Sequence, residues 1–212
     1  MNHQSWLALL KKHRAIAVIR SSEKELAWQM AKAVAAGGMQ FIEITWNSHK
    51  AAELISELRS ELPTFTIGTG TLLNSEQLQQ AIDCGAQFFF TPHTDLTMIK
   101  TAVDAGVPIV PGAFSPTEIL TAWQAGASCV KVFPISGLGG AAYLKSLQGP
   151  LGHIPLIPTG GVTLENAKIF IEAGAIAVGL AGDLFPKHLV ENRDWEAIGQ
   201  IANKFVQNLT TS

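Results

Sequence analysis

A repeated unit, in which a helix ends at a glycine and an apolar strand follows, most constrains the fold of this 212-residue chain. Each copy reads Ala-Gly or Cys-Gly, then a short turn and an apolar run; the glycines are Gly37, Gly85, Gly106, Gly126 and Gly174. A glycine just past a helix favours the left-handed cap, and a continuous apolar run is typical of a strand buried on both faces. The repeat therefore predicts helices that alternate with parallel strands.

Completing the pattern gives eight strands, predicted near residues 15–19, 41–45, 66–69, 88–91, 108–111, 129–133, 155–158 and 176–179. Helices are predicted between them, and their starts are marked by the cap residues Ser21/Ser22, Asn74/Ser75, Ser115 and Thr163. Eight strictly alternating units favour a (β/α)8 TIM barrel that forms a single domain over residues 1–212. An open, doubly wound sheet is the competing architecture.

Lys131 lies within an apolar, β-branched run, Ser128 to Pro134, that is typical of a buried strand. A lysine is almost never fully buried unless it is paired or has a function. Removal from water, or a neighbouring cation, lowers the pKa of a lysine towards neutrality and frees the amine lone pair to attack a carbonyl. Lys131 is therefore the candidate nucleophile of a Schiff-base enzyme.

Three ionisable side chains of the strands are predicted to meet at one mouth of the barrel. Alternate residues of a strand face the same side, so we expect three inward-facing sets: Cys129, Lys131 and Phe133; Phe41, Glu43 and Thr45; and Ile16, Val18 and Arg20. Barrel active sites form at the carboxyl ends of the strands, which is where Lys131, Glu43 and Arg20 converge.

Glu43 and Arg20 each have two candidate roles. A carboxyl group in a partly apolar mouth has its pKa raised towards the working pH and suits general acid–base catalysis. The alternative for Glu43 is a structural ion pair with Lys131 or Arg20. Arg20 either binds an anionic group of the substrate or balances the charge of Glu43.

Glycine-rich turns follow three of the predicted strands: Gly68-Thr69-Gly70-Thr71, Pro158-Thr159-Gly160-Gly161 and Gly179-Leu180-Ala181-Gly182-Asp183. Exposed backbone N–H groups at such turns hold carboxylate or phosphate oxygens. Loops after the seventh and eighth strands are the usual phosphate site of a TIM barrel. The simpler alternative is a tight connection between strand and helix.

Composition argues against several classes of function. A net charge of -2 and the lack of a basic run argue against binding to nucleic acid or to a membrane surface. No apolar stretch approaches the roughly 20 residues of a membrane span, and the histidines do not have the spacing of metal ligands, so neither a metal nor a cofactor is expected. Cys84 and Cys129 are too few for a disulfide scaffold, so we expect a cytoplasmic location.

Six motifs, in order along nearly the whole chain, resemble the family of KDPG (2-dehydro-3-deoxy-6-phosphogluconate) and KHG (4-hydroxy-2-oxoglutarate) aldolases. They are Glu43-Ile44-Thr45, Gly68-Thr69-Gly70-Thr71, Thr91-Pro92-His93, Pro111-Gly112-Ala113-Phe114-Ser115-Pro116-Thr117-Glu118, Lys131-Val132-Phe133-Pro134 and Pro158-Thr159-Gly160-Gly161. The resemblance implies a metal-independent class I aldolase, usually a homotrimer. It implies cleavage of KDPG to pyruvate and glyceraldehyde 3-phosphate, a step of the Entner-Doudoroff pathway, with cleavage of KHG to pyruvate and glyoxylate as a second activity.

The resemblance also implies a role for each site residue. Lys131 would form the Schiff base with the keto carbon, and Glu43 would shuttle protons through a water. The pyruvyl end of the substrate would be held by Thr71, Pro92 and the Gly160-Gly161 turn, with Phe133 packed beside the imine.

Two positions depart from the family pattern. Asn47 stands where many members have an arginine, as in the related phosphogalactonate aldolases, which shifts recognition of the substrate anion towards Arg20. Ala181-Gly182 replaces a Gly-Ser pair whose serine contacts phosphate, so Gly182 offers backbone N–H groups without a hydroxyl.

The open alternatives are the 6-phosphogalactonate epimer or KHG as substrate, a phosphate-binding synthase or isomerase that uses Lys131 and Glu43 as acid and base, and a non-catalytic sugar-acid binding protein.

Overall fold

The computed structural model describes residues 3–210. Its helices are α1 His3–His13, α2 Lys24–Ala36, α3 Ala51–Glu61, α4 Ser75–Asp83, α5 Leu96–Asp104, α6 Pro116–Gln124, α7 Ala141–Leu151, α8 Ala167–Glu172, α9 Lys187–Glu191 and α10 Trp195–Thr210. Its strands are β1 Ala15–Ile19, β2 Phe41–Thr45, β3 Thr66–Gly70, β4 Phe89–Phe90, β5 Ile109–Val110, β6 Gly112–Ala113, β7 Val130–Val132, β8 Leu156–Pro158 and β9 Val178–Leu180. The predicted domain also includes residues 1, 2, 211 and 212, which lie outside the described range.

The strands form a closed barrel in which all of the described pairings are parallel. Six strands pair in the order β5-β4-β3-β2-β1-β9, and three in the order β6-β7-β8. β5 and β6 are two segments of one barrel strand, interrupted at Pro111, whose carbonyl accepts a hydrogen bond of 2.9 Å from the Lys131 N–H. The Ile176 N–H, just before β9, donates a hydrogen bond of 3.0 Å to the Leu156 carbonyl and bridges the other gap. The (β/α)8 barrel is therefore confirmed, and the open sheet is wrong.

The predicted and observed strands agree to within two residues at each end. Helix α1 precedes the first strand and is therefore not part of the repeat that predicts the other helices. It places the buried side chains of Trp6 and Leu10 at the amino end of the barrel, where they pack with the inward-facing residues of the strands.

The two-residue period of the strands separates two apolar cores. The core inside the barrel consists of Trp6, Leu10, Ile16, Phe41, Phe88, Phe90, Val110, Cys129, Ile157 and Ala177. The larger core between strands and helices includes Ile42, Ile44, Val130 and Val132. The inward and outward sets predicted for the strands that carry Glu43 and Lys131 are thereby confirmed.

Most of the repeat glycines have the left-handed backbone that the sequence predicts; φ is +80° at Gly85, +70° at Gly106, +100° at Gly126 and +102° at Gly174. The prediction for Gly37 is wrong, because its φ is -75° and Gly38 takes the left-handed conformation instead. Gly37 is needed for helix packing, since a Cβ atom there would lie 2.6 Å from the Cβ atom of Ala202 on α10.

The helix starts at α4 and α6 are confirmed, with side-chain caps from Asn74 and Ser115. The other two predicted starts are wrong, because α2 begins after Glu23 and α8 after Asn166. Instead, the Ser21 hydroxyl accepts a hydrogen bond of 3.1 Å from the Glu23 N–H, and the Thr163 hydroxyl accepts one of 3.1 Å from the Asn166 N–H. Both bonds lie in the turns just before the helices. None of the described helices combines the length and apolar character needed to cross a membrane.

Candidate active site

Strand β7 places the Lys131 side chain inside the barrel, where only 9% of the residue is exposed. Its Nζ atom lies 4.4 Å from the ring centroid of Phe133 and 5.9 Å from that of Phe90. Burial lowers the pKa of Lys131 from its ordinary value of 10.5; the Glu43 carboxylate raises it in part, and the Arg20 charge lowers it further. The environment therefore favours the neutral, nucleophilic amine that the sequence predicts.

Strand β2 places Glu43 on the inner face of the barrel with 3% of the residue exposed. Burial raises the pKa of Glu43 above 4.5, and the charges of Lys131 and Arg20 oppose that rise. The neighbouring strand makes room for the carboxyl group at Gly70, because a Cβ atom there would overlap a Glu43 carboxyl oxygen. A carboxyl with a raised pKa in this position suits proton transfer.

Glu43 forms no direct ion pair with Lys131 or Arg20, since the ion pairs within residues 3–210 involve other side chains. The three charges nevertheless influence one another, as the shifts in the pKa of Glu43 and Lys131 show. The proposed structural ion pair is therefore absent from this part of the chain.

A cavity of about 290 Å³ opens at the carboxyl ends of the strands. Every residue that the sequence predicts for the site lines it: Arg20, Glu43, Thr71, Pro92, Lys131, Phe133, Gly160, Gly161 and Gly182. These residues come from turns and strands around the whole barrel, so the closed topology is what brings them together.

The turn after β8 presents backbone donors to the cavity. Gly160 and Gly161 have left-handed φ values of +75° and +101°, which side chains rarely adopt. A Cβ atom at Gly160 would lie 3.0 Å from the Phe133 ring and from Pro134, so glycine also allows this close approach. Neither N–H group donates to another described residue, and both are available to a carboxylate oxygen of a ligand.

Thr71, just after β3, also has a left-handed backbone, with φ of +62°. Such a conformation is unfavourable for a β-branched residue and is found mainly where the surrounding structure enforces it, often at functional sites. Thr71 is half-buried and faces the same cavity as Lys131. Residue 71 is therefore a threonine that lines the mouth of the cavity, although its backbone conformation would suit a glycine better.

Two polar residues of the cavity do not follow from the sequence reasoning. Thr159 is 8% exposed, and its Oγ1 atom has no hydrogen-bond partner among the described residues. The strand period could have identified it, because Ile157 on the same strand faces the inner core. Asp183 lines the cavity beside Gly182, and its Oδ2 atom accepts a hydrogen bond of 3.2 Å from the Leu164 N–H.

No group of three or more His, Cys, Asp or Glu side chains within residues 3–210 is arranged to hold a metal ion. The chemically active groups of the cavity are an amine, two carboxyl groups, hydroxyls, a guanidinium group and backbone N–H groups.

The chain is similar to known proteins over nearly its whole length. The family model described as KDPG and KHG aldolase matches residues 7–201. A 2-dehydro-3-deoxy-phosphogluconate aldolase of Haemophilus influenzae is 32% identical over 204 residues, 96% of each chain. The KHG/KDPG aldolase of Escherichia coli K12 is 29% identical over 192 residues, 91% of this chain and 90% of that one. A crystal structure of a Legionella pneumophila KDPG aldolase, with pyruvate captured as a covalent carbinolamine, matches with a TM-score of 0.85 and 26% identity over 94% of this chain and 97% of that one.

Proposed function

Because the chain belongs to the family of KDPG and KHG aldolases, we propose that it acts as a class I aldolase through Lys131 and Glu43. It is a carbon–carbon lyase that cleaves KDPG to pyruvate and glyceraldehyde 3-phosphate. The observation that supports this mechanism best is the buried Lys131 amine, which shares one cavity with a buried carboxyl group but does not pair with it.

The amine of Lys131 attacks the C2 carbonyl of the substrate and forms a carbinolamine, which loses water to give an iminium ion. The C3–C4 bond then breaks, and its electron pair moves through C3 and C2 to the iminium nitrogen, giving an enamine. Glu43 accepts the proton of the C4 hydroxyl, so the aldehyde product leaves with an uncharged carbonyl group. Protonation of the enamine at C3 and hydrolysis of the resulting imine release pyruvate and restore the amine.

Glu43 is placed to serve both proton-transfer steps. Burial raises its pKa from the ordinary value of 4.5, which moves the carboxyl group towards the range in which it both gives and takes a proton. Because no direct contact joins Glu43 to Lys131, one water between them is the natural carrier of the proton. This is the water-mediated role that the family resemblance implies.

The remaining lining residues hold the substrate. The N–H groups of Gly160 and Gly161 and the hydroxyl of Thr71 face the pyruvyl carboxylate, with Pro92 beside them. Phe133 packs against the imine, in keeping with its position over the Lys131 amine. Arg20, at the rim, takes the anionic group at the far end of the substrate.

Further substrates follow from the same pyruvyl subsite. KHG shares the 2-oxo acid end with KDPG, and the Escherichia coli relative is named for both substrates. The 6-phosphogalactonate epimer differs only in the part of the molecule beyond the breaking bond. The non-covalent synthase or isomerase and the non-catalytic binding protein are the functional alternatives that the test below separates.

Reductive trapping tests the Schiff base. The full chain is incubated with pyruvate and sodium borohydride, and the mass of each peptide is then measured. We expect one pyruvate-derived adduct on the Lys131 peptide, and none in the Lys131→Ala variant, which should also lose aldolase activity by about 10⁴-fold or more. Activity without an adduct would favour the non-covalent enzyme, and an adduct without cleavage would favour the binding protein.

We also propose a homotrimer located in the cytoplasm. Large apolar side chains are exposed on and beside α5 and α6: Leu96, Val103, Phe114 and Leu120. Burial of these side chains between protein chains would remove their apolar surface from water. Cys84 and Cys129 are both free, in keeping with a reducing compartment. A light-scattering mass of three chains tests the assembly, and a monomer mass at working concentration would contradict it.

A further inference from the structure

The far end of the active-site cavity carries a carboxylate from the chain itself. Asp183 lies beside Gly182 in the short helical turn after β9. Its Oδ2 atom accepts the N–H of Leu164, which belongs to the loop after β8. These two loops are the ones at which TIM barrels usually bind phosphate. A negative side chain therefore lines the cavity beside the loops that would hold a substrate phosphate.

The positive charges around this end are few. Among the described residues that line the cavity, Arg20 and Lys131 carry positive charge, and Lys131 is needed as a neutral amine. Lys187 lines an adjoining cavity with Arg20 and Gly182, but its ammonium group lies 3.5 Å from the Glu191 carboxylate. A phosphate dianion at this end would therefore meet Arg20 and Asp183 together.

The geometry points to Asp183 as a specificity-determining residue that weakens the preference of this aldolase for a substrate with a terminal phosphate, an inference that rests on the proposed function. A phosphate at the end of a six-carbon substrate would be repelled by the Asp183 carboxylate, which lines the same cavity. A shorter dicarboxylate such as KHG carries its second anionic group nearer to the breaking bond and therefore farther from Asp183. KDPG remains a substrate, and Asp183 reduces the advantage that its phosphate gives.

The space around Gly182 does not require a glycine at this position. A Cβ atom at Gly182 would meet nothing within 4 Å, and its backbone is not left-handed. A serine with a phosphate-binding hydroxyl would fit at this position without strain. The cavity thus lacks a hydroxyl donor at position 182, where one could be placed, and has a carboxylate in the next residue.

The test compares KDPG with its dephosphorylated counterpart, 2-keto-3-deoxygluconate, as substrates of the full chain, with kcat/KM measured from pyruvate release. Asp183→Asn removes the charge but keeps a side-chain oxygen that accepts the Leu164 N–H. We expect the ratio of kcat/KM for the phosphorylated over the unphosphorylated substrate to rise about two- to fivefold, because the Asp183 carboxylate is exposed and water screens its repulsion. Gly182→Ser added to Asp183→Asn should raise the ratio further.

Glu165→Gln is the matched control, because it removes one negative charge beside Leu164 from a residue that does not line the active-site cavity. Its ratio should equal that of the parent chain. If Asp183→Asn folds poorly, Asp183→Ser carries the same expectation. A ratio that stays constant or falls in the folded Asp183 variants overturns the inference.

Failure of this inference is distinguishable from failure of the proposed function. Borohydride trapping with pyruvate labels Lys131 without any phosphate group. A parent chain that forms no adduct refutes the aldolase mechanism itself. A parent chain that forms the adduct, with a substrate ratio that does not respond to Asp183, refutes only the role of Asp183.

Discussion

The two ends of the barrel interior differ in composition although the same strands build both. At the amino end, Trp6 from α1 lies 6.0 Å from Phe41 and 6.2 Å from Phe88 between ring centroids. At the carboxyl end, the inward positions are occupied by Glu43, Lys131 and glycines. One end is filled by aromatic rings, and the other is left open for a ligand.

The closed end makes the chemistry of the open end feasible. Phe88 packs on Phe90 with ring centroids 5.8 Å apart, and the Phe90 ring in turn lies 5.9 Å from the Lys131 amine. This aromatic floor keeps water away from the amine on one side, and burial is the largest cause of the lowered pKa of Lys131. Stability and reactivity therefore depend on one continuous column of side chains.

The largest effect is expected when an aromatic side chain is removed from the amino end of the barrel. Trp6→Ala should lower the free energy of unfolding by about 3–5 kcal/mol, because a fully buried aromatic residue leaves a large cavity. Denaturant unfolding measures the change. Trp6→Phe should have a smaller effect, since it keeps a ring and removes an indole N–H that has no hydrogen-bond partner among the described residues.

Trp28→Ala is the matched control for this substitution. Trp28 lies on the outside of the barrel, is only partly buried, and stacks under the Lys32 amine at 4.3 Å. Its loss should be clearly less destabilising than that of Trp6. Equal losses for the two tryptophans would show that the inner aromatic layer does not have the stabilising role assigned to it.

The open end is tested by Glu43→Gln, which keeps the shape of the side chain but removes its acid–base function. We expect kcat to fall on the order of 10²–10³-fold with a much smaller change in KM, because proton transfer and not binding is impaired. Pyruvate release measures the loss, and an unaltered unfolding midpoint would show that the barrel is intact. Normal turnover by Glu43→Gln would show that another group moves the proton.

The sequence predicts the barrel and the charged positions for a definite physical reason. Helix-ending glycines and apolar runs are local signals, and the strand period then fixes that Glu43 and Lys131 face inwards. Helix α1 does not follow, because it lies outside the repeat and is recognised only once Trp6 is seen among the inner residues.

Contacts between distant turns are what the sequence does not provide. The hydrogen bond from Leu164 to Asp183 joins two loops that are adjacent only after the barrel closes. The need for glycine at position 70 is hidden in the same way, because it arises from the carboxyl group of Glu43 on the neighbouring strand. Thr159 is different, since its inward direction follows from the strand period once Ile157 is placed inside.

The smallest expected effect is a shift in the pH at which the Lys131 amine at the open end becomes neutral. Imine formation requires neutral Lys131, so the initial rate of pyruvate trapping should rise up to tenfold per pH unit until the pKa of Lys131, which lies below 10.5, and then level off. The Glu43 carboxylate raises that pKa, so Glu43→Gln should move the midpoint of the trapping profile to lower pH. Glu165→Gln removes the same charge outside the cavity and should leave the midpoint in place. A midpoint that stays in place or moves to higher pH in Glu43→Gln would show that the carboxylate does not raise the pKa of the amine across the cavity, and the open end would then lack the electrostatic link on which the proton shuttle depends.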